Sequence, residues 1–196
     1  MIIKNLTDEK SKFKLIGITA IRAQNLLNIN IVIDEIKKLS MKYDCEVQLL
    51  NANKIATWEH LFFAAINALR SFQGGYNLAK SLSMELMLHV AANRQIKVAI
   101  ETFGIKIDNK EIAVVIFANK EENIHNITEE LIRFFNGVED LDLLNIDQNK
   151  LEILKKIFNI NDGELTNLIN IGPDEDEYKT IIKIIIDRGA LVNLEK

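Results

Sequence analysis

Apolar residues recur along this chain with two different periods, which separate the predicted strands from the predicted helices. Alternation at every second residue over 13–22 and 45–50 is typical of strands. A nearly continuous apolar run at 112–118 follows a turn at Asp108 and predicts a strand that pairs with 105–107. These segments supply the β part of the fold.

Spacings of three and four residues between apolar positions predict helices over most of the remaining chain. They fall at 31–42, 58–72, 78–92, 94–103, 124–134, 151–158 and 164–170. A last element opens near Asp174, and its density of isoleucines suits a strand as well as a helix. Together the patterns predict an α+β fold in a single domain spanning 1–196, in which 138–172 is a helical segment of open role.

The length and composition are those of an ordinary globular protein. The chain has 196 residues, 48% of them hydrophobic and 27% charged, which excludes a disordered, collagen-like or disulfide-rich protein. Its single cysteine, Cys45, cannot form a bridge within the chain, and no apolar run reaches the roughly 18 residues of a membrane span. The first residues lack the pattern of a signal peptide. We therefore expect a cytoplasmic protein.

Charge is divided unevenly between the two halves of the chain. Residues 1–100 contain 13 basic and 8 acidic side chains, a balance of +5, whereas 101–196 contain 11 and 20, a balance of −9, which together give the net −4. A basic half can attract a polyanion even when the whole chain is acidic. The same lysines can equally form a solvated face without a partner.

The familiar catalytic and metal-binding motifs are absent from the sequence. It contains no phosphate-binding loop, no G-x-S-x-G and no H-E-x-x-H, and its three histidines are separated by 29 and 36 residues. We therefore expect no metal, no cofactor and no catalytic residue. Glu85 and His89 leave an alternative open, because they stand four residues apart on a predicted helix. They fit either the acid and base of a small-molecule enzyme or a hydrogen bond between buried side chains.

Two groups of residues suit a nucleic-acid partner. Phe63 falls on the polar side of the helix at 58–72, beside His60 and Arg70, where a ring can stack on a base unless another helix covers it. Arg94 falls in the first turn of the helix at 94–103, where the helix dipole disfavours a cation. With Lys97 and free backbone N–H groups it suits a phosphate, or it pairs with an acidic side chain instead.

One stretch of the sequence is similar to a known family. It reads NANKIATWEHLFFAAINAL from Asn51, then NLAKSLSMELMLHVAANRQIKVAIETFGIK and EIAVVIFA. This stretch resembles the tRNA-binding subunit of the KEOPS (EKC) complex, also called the PRPK-binding protein family, TPRKB. The similarity is densest over 49–118, includes Glu85-Leu86 and Arg94-Gln95-Ile96, and departs mildly at Thr57, where the family often has serine.

The resemblance implies a non-catalytic protein with a small antiparallel or mixed sheet and packed helices. Such a subunit binds the 3′ CCA end of tRNA and the small atypical kinase/ATPase of the complex, and it meets the other KEOPS subunits indirectly. The complex installs threonylcarbamoyl on an adenosine of tRNA, with the chemistry in other subunits. The alternatives are an enzyme that uses Glu85 and His89, and an adaptor that binds only protein.

Under this resemblance, the candidate contact residues form two sets. The RNA-binding candidates are Arg94, Lys97, Lys80, Lys54, His60 and Arg70 for phosphates or the terminal base, with Phe63 and Ile96 for stacking. The kinase-binding candidates lie on the last element, whose apolar arc is wider than one core contact requires. They are Ile184, Ile185, Ile186 and Leu191.

Overall fold

An antiparallel sheet lies at the centre of the fold. The computed structural model describes residues 1–7, 11–24, 28–169 and 176–193, and within them the strands follow the order β1-β2-β4-β3, with β5 paired to the end of β2. The strands are β1 (Ile2–Asn5), β2 (Leu15–Arg22), β3 (Glu46–Asn51), β4 (Glu111–Ala118) and β5 (Val138–Glu139). Ile18 lies opposite Val115 in the β2–β4 pair, and Val47 lies opposite Ile116 in the β3–β4 pair.

Helices cover both faces of this sheet. In the described stretches they are α1 (Ile29–Tyr43), α2 (Trp58–Gly74), α3 (Leu82–Ala91), α4 (Ile96–Phe103), α5 (Glu121–Phe134), α6 (Gln148–Ile157), α7 (Asp162–Ile169) and α8 (Glu177–Leu191), with 3-10 turns at Ala52–Lys54 and Leu141–Leu144. The predicted α+β class is therefore confirmed. As far as it is described, the segment 138–172 contains β5, α6 and α7. No helix in these stretches is both long and apolar enough to cross a membrane.

Successive side chains of β4 point into two separate cores. Ala113, Val115 and Phe117 pack with α2, α3, α4, α6, α7 and α8, on what we call the α2/α8 face of the sheet. Val114 and Ile116 pack with α1 and α5, on the α1/α5 face. Because almost every residue of β4 is buried, its sequence is a continuous apolar run rather than an alternation.

Helix α3 begins four residues later than the apolar pattern predicts. The Ser81 side chain accepts the N–H of Met84 and so caps the helix at that point. In the loop just before α3, the N–H groups of Leu78 and Ala79 donate to the side chain of Glu85 at 2.9 and 2.7 Å. These bonds hold residues 78–79 in a loop, so the spacing of apolar residues alone does not predict where α3 begins.

Helix α4 also begins later than predicted, which moves Arg94 off the helix. Asn93 Oδ1 accepts the N–H of Gln95 at 2.8 Å, which forms a local turn, and Ile96 is the first helical residue. The prediction that Arg94 lies in the first helical turn is therefore wrong. Arg94 lies in the loop that precedes α4.

Residues 105–107, predicted to be a strand, form part of a turn. The Lys106 N–H donates to Asn109 Oδ1 at 2.8 Å, and the Asn109 N–H donates to the Lys106 carbonyl at 3.0 Å. These groups are thereby satisfied within the turn. Strand β4 pairs with β2 and β3 instead.

The last element is a helix, so its competing assignment as a strand is wrong. Asp176 caps α8 by accepting the N–H of Lys179 at 2.8 Å, whereas the predicted cap, Asp174, lies outside the described residues. Near the end of α8, Arg188 donates to the Phe158 carbonyl and to both carboxylate oxygens of Glu164, the latter at 2.8 and 2.9 Å. This side chain ties α8 to α6 and α7.

Candidate functional site

Helix α4 and the loop before it present cations beside exposed apolar side chains. Ala99 and Phe103 are at most 1% exposed, and their burial turns the opposite side of α4 toward solvent. Ile96 is 39% exposed, and Arg94 and Lys97 are exposed as well. This mixture suits a single-stranded nucleic acid, because its phosphates attract cations and its bases stack on apolar surface.

Arg94 has no acidic partner within the described part of the chain, where the arginine ion pairs involve Arg22 and Arg188. Lys97 Nζ lies 3.9 Å from Glu101 Oε1, and both side chains are mostly exposed, so this pair is weak in water. Of the two interpretations of Arg94, the geometry favours a cation that is available to bind a phosphate over one that pairs with an acidic side chain.

Lys54 lies close to a second lysine that the sequence did not single out. Lys54 is half-buried, and its pKa is lowered by burial and by the positive charge of Lys106. Lys106 follows the end of α4, and Lys54 closes the 3-10 turn after β3. Two cations that repel each other are stabilised when a phosphate binds between them.

Arg70 and Lys80 line adjoining clefts that share the side chains of Leu69 and Gln73. Arg70 borders a cleft of about 120 Å³, and Lys80 borders one of about 460 Å³ that is also lined by Lys12. The structure therefore brings these two predicted cations to one region, around the C-terminal half of α2. Arg94, Ile96 and Lys97 form a separate group on the chain segment around α4.

Phe63 is accessible on the surface of α2. Its ring is 44% exposed, so no described helix covers it, and it meets the Phe62 ring edge to face with centroids 5.6 Å apart. Phe62 lies 6.1 Å from the Trp58 ring, over which Lys4 Nζ lies at 4.9 Å. This row of rings with a cation at one end suits base stacking or a protein partner.

His60 is an interior residue, so its assignment as an RNA contact is wrong. It is 2% exposed; its Nδ1 accepts the Ala56 N–H at 3.3 Å, and its Nε2 donates to the Val90 carbonyl at 3.0 Å. These partners require a neutral ring, and burial lowers its pKa to about 4. His60 thus joins the start of α2 to the end of α3.

The kinase-binding candidates divide between the buried and exposed sides of α8. Ile184 and Ile185 are 7% and 0% exposed and pack in the core, so their assignment as partner contacts is wrong. Ile186 is half-buried, and Leu191 is 46% exposed. Ile182, four residues before Ile186, is half-buried as well. We call Ile182 and Ile186, which lie 40° apart around the helix, the α8 stripe; Leu191 lies 140° from Ile186, at the opposite edge of the solvent-facing side.

Glu85 and His89 form a buried pair. His89 Nε2 lies 3.6 Å from Glu85 Oε1, and the two residues are 1% and 0% exposed. Since solvent reaches neither side chain, the pair has the geometry of a satisfied structural contact rather than of an acid and base open to a substrate. In the described stretches, no group of three or more histidine, cysteine or acidic side chains is placed to hold a metal ion.

Sequence reasoning missed Lys12, Lys106 and Ile182. The spacing of four between Ile182 and Ile186 was a signal that could have found the stripe. Lys106 gave none, because the turn that exposes it was predicted to be a strand. Lys12 stands beside Phe13, and its ammonium lies 4.8 Å from that ring, a contact that adjacency in sequence does not reveal.

Comparisons with known proteins cover most of the chain. The family model described as "Kinase binding protein CGI-121" matches residues 23–193. The "Regulatory protein Cgi121" of Methanocaldococcus jannaschii is 26% identical over 163 residues, which are 83% of this chain and 91% of that protein. The region matched by the family model begins at the residue after β2, runs through α8 and contains every helix described above.

Proposed function

Because the chain belongs to the kinase binding protein CGI-121 family, we propose that it is a non-catalytic subunit that brings tRNA to a small atypical kinase. In this proposal it is the tRNA-binding subunit of the KEOPS complex. It holds the 3′ CCA end of tRNA while other subunits make threonylcarbamoyladenosine. The family match over 23–193 is the observation that carries the kinase part of the proposal.

The exposed cations around α4 support the RNA part. Arg94 and Lys97 lie on the surface beside Ile96, and Lys54 lies near Lys106. Cations of this kind contact phosphates, and the isoleucine offers apolar surface to an unstacked base. Arg70, Lys80 and Phe63 on and near α2 supply a second group of the same chemistry.

The α8 stripe supports the kinase part. Its members are apolar and only partly covered, whereas Ile184 and Ile185 on the other side of α8 are buried in the core. A helix fixed by one apolar side and showing a second apolar stripe to solvent is a typical protein-binding element.

Filter binding with two forms of one tRNA tests the RNA part. We expect intact tRNA to bind about tenfold more tightly than the same tRNA without its CCA end, because stacking of one base contributes about 1–3 kcal/mol. The titration is made with and without the kinase. Equal affinities for the two tRNAs in both series would contradict the proposal.

Other results of the same titration identify the alternatives. An adaptor that binds only protein retains the kinase and shows no affinity for either tRNA. A small-molecule enzyme would show turnover by the purified chain that His89→Gln abolishes. That turnover, together with indifference to the CCA end, would replace the proposed function.

A further inference from the structure

The last turn of α8 is held by polar side chains from α2 and α3. At Gly189, α8 comes so close to α3 that a Cβ would lie 2.6 Å from the His89 carbonyl oxygen. His89 Nδ1 donates to the Gly189 carbonyl at 2.8 Å, which satisfies one of the carbonyls that the end of a helix leaves without a partner. Helix α8 therefore meets α3 at a defined point.

Asn193, just beyond α8, completes a cluster of four polar side chains. Its Nδ2 donates to Ser71 Oγ and, at 3.1 Å, to Glu85 Oε1, and it lies 3.3 Å from His89 Nε2. Ser71 Oγ lies 3.2 Å from the same histidine nitrogen. We call Ser71, Glu85, His89 and Asn193 the α8 clasp.

Glu85 anchors the α8 clasp to α3 and the loop before it. It is fully buried, and its second oxygen accepts the N–H groups of Leu78 and Ala79. Burial raises the pKa of Glu85, but the nearby His89 ring and hydrogen bonds from Ala79, Asn193 and Leu78 hold this pKa below its ordinary value. The carboxylate is therefore charged at neutral pH and makes stronger bonds than a neutral acceptor.

The α8 clasp fixes the position of α8 more closely than apolar packing does. Ile181, Ile184 and Ile185 hold α8 in the core, but apolar contacts are non-directional and tolerate small shifts of a helix. Hydrogen bonds to a buried carboxylate are satisfied in one position only. Leu191 lies between Gly189 and Asn193 in the chain, so both ends of this segment are fixed around it.

We propose that the α8 clasp positions the last turn of α8, and with it the exposed Leu191, for the protein partner of this chain. This inference rests on the proposed function, in which that partner is the kinase. Ser71, Glu85, His89 and Asn193 are positioning residues, because they lie inside the protein and act on the partner through Leu191.

An exchange of two functional groups tests the proposal. Glu85→Gln replaces one of the two carboxylate oxygens, which accept hydrogen bonds, by an NH2 group, which donates them. This NH2 group would then face another donor, either the Asn193 amide or the loop N–H groups. Asn193→Asp alone places two acceptors against each other. The double variant restores one donor and one acceptor at this contact, because the new amide at 85 can donate to the new carboxylate at 193.

We expect each single variant to bind the kinase about tenfold more weakly than the parent, and the double variant to recover to within about threefold. Hydrogen exchange of the amides at 189–193, measured without the kinase, should accelerate in both single variants and slow again in the double variant. Asn30→Asp adds the same charge at an exposed position of α1 and should change neither measurement.

The two measurements separate the possible failures. The positioning role would be overturned if amide exchange at 189–193 became faster while the kinase affinity stayed unchanged. It would also be overturned if the losses of affinity in the two single variants simply added in the double variant. Either result would leave the proposed function standing. A parent chain without kinase affinity would overturn the proposed function and this inference with it. If the single variants fail to fold, Ser71→Ala, which adds no charge, serves as the milder variant, and parent-like affinity and exchange in it would overturn the inference.

Discussion

The two faces of the sheet are built from different interactions. In the described residues, the core of the α1/α5 face is apolar and its buried ionisable group is the Cys45 thiol. The core of the α2/α8 face is equally apolar, but it also buries four ionisable side chains. They are His60, Glu85, His89 and Lys150.

This difference shows how each set of helices is held. Apolar burial, which has no preferred direction, packs α1 and α5 against the sheet, and Lys42 and Tyr43 of α1 donate to Glu130 of α5 at the partly exposed edge between the two helices. On the other face buried ionisable side chains add directional bonds; for example, Lys150 Nζ donates to the carbonyls of Leu143 and Asn145 at 2.7 and 3.1 Å. The buried directional bonds therefore lie on the face whose helices α2, α4 and α8 carry the proposed contacts.

The largest difference between the faces is expected in kinase binding. Ile186→Asp places a charge in the α8 stripe, and we expect at least about a 100-fold loss of affinity, roughly 2.7 kcal/mol, because the carboxylate would lose water against an apolar partner. Ile31→Asp, at an exposed isoleucine of α1, should change the affinity by less than about twofold. Isothermal titration measures both, and equal losses would place the partner elsewhere.

A smaller difference is expected between two glycines. Gly189→Ala sets a methyl group against the rigid backbone of His89, and we expect a loss of about 2 kcal/mol in the free energy of unfolding, although alanine favours a helix by about 1 kcal/mol. Gly163→Ala sets its methyl group 3.2 Å from the side-chain oxygen of Asn161, at an exposed position of α7, and should cost less than about 1 kcal/mol. Urea unfolding compares them, and the reverse order would contradict the close contact of α8 with α3.

Acid should weaken the α2/α8 face through His60. Its pKa of about 4 in the fold lies below the unfolded value of 6.5, so stability is lost as the pH falls through this window. Between pH 7.5 and 5.5 we expect a loss of about 1.4 kcal/mol in urea unfolding that His60→Gln removes. His125→Gln, at an exposed histidine of α5, should retain the loss. An unchanged pH dependence in His60→Gln would contradict the neutral buried ring.

Alkali should act on the two faces in opposite directions. Burial lowers the pKa of Lys150 to about 8, so its contribution to stability rises with pH between 8 and 10.5. Burial raises the pKa of Cys45 to about 12, so its contribution falls above pH 9. From pH 7 to 9, Lys150→Met should remove a gain of about 1.3 kcal/mol and Cys45→Ala a loss of about 0.4 kcal/mol. Parallel pH profiles of the two variants in urea unfolding would contradict this contrast.

The smallest effect is expected for a single phosphate contact. Arg94→Ala should weaken the binding of all tRNAs by about fivefold at physiological salt and lower the log–log salt slope by about 0.9, because one fewer counterion is released. Lys38→Ala removes one charge from α1 and should leave the slope unchanged. A salt titration by filter binding measures both slopes, and equal slopes for Arg94→Ala and the parent would remove Arg94 from the RNA surface.

Periodicity predicts the α1/α5 face well, because each of its helices has one buried and one solvated side. Helix α1 is predicted at 31–42 and found at Ile29–Tyr43, and α5 is predicted at 124–134 and found at Glu121–Phe134. The strands at 13–22, 45–50 and 112–118 are confirmed for a similar reason, since alternation or a continuous apolar run reports burial directly.

The α2/α8 face is less predictable, because its helices are buried on more than one side. On α8 the pattern does not separate the buried Ile184 and Ile185 from the half-buried Ile186. Hydrogen bonds between residues far apart in sequence determine the burial of other side chains. For example, His60 is buried and bonds to the carbonyl of Val90, 30 residues away. The candidate RNA surface is therefore predicted as a set of cations, while their grouping depends on the tertiary structure.

The bare backbone at Gly189 also restricts how the chain can change in length. A helix turns by about 100° with each residue, so one residue inserted or deleted shortly before Gly189 would bring a side chain against the His89 carbonyl and carry Asn193 away from Glu85. Replacements on the outward side of α8 meet no such obstacle. Helix α8 therefore tolerates substitutions on its outward side, but it does not tolerate an insertion or a deletion shortly before Gly189.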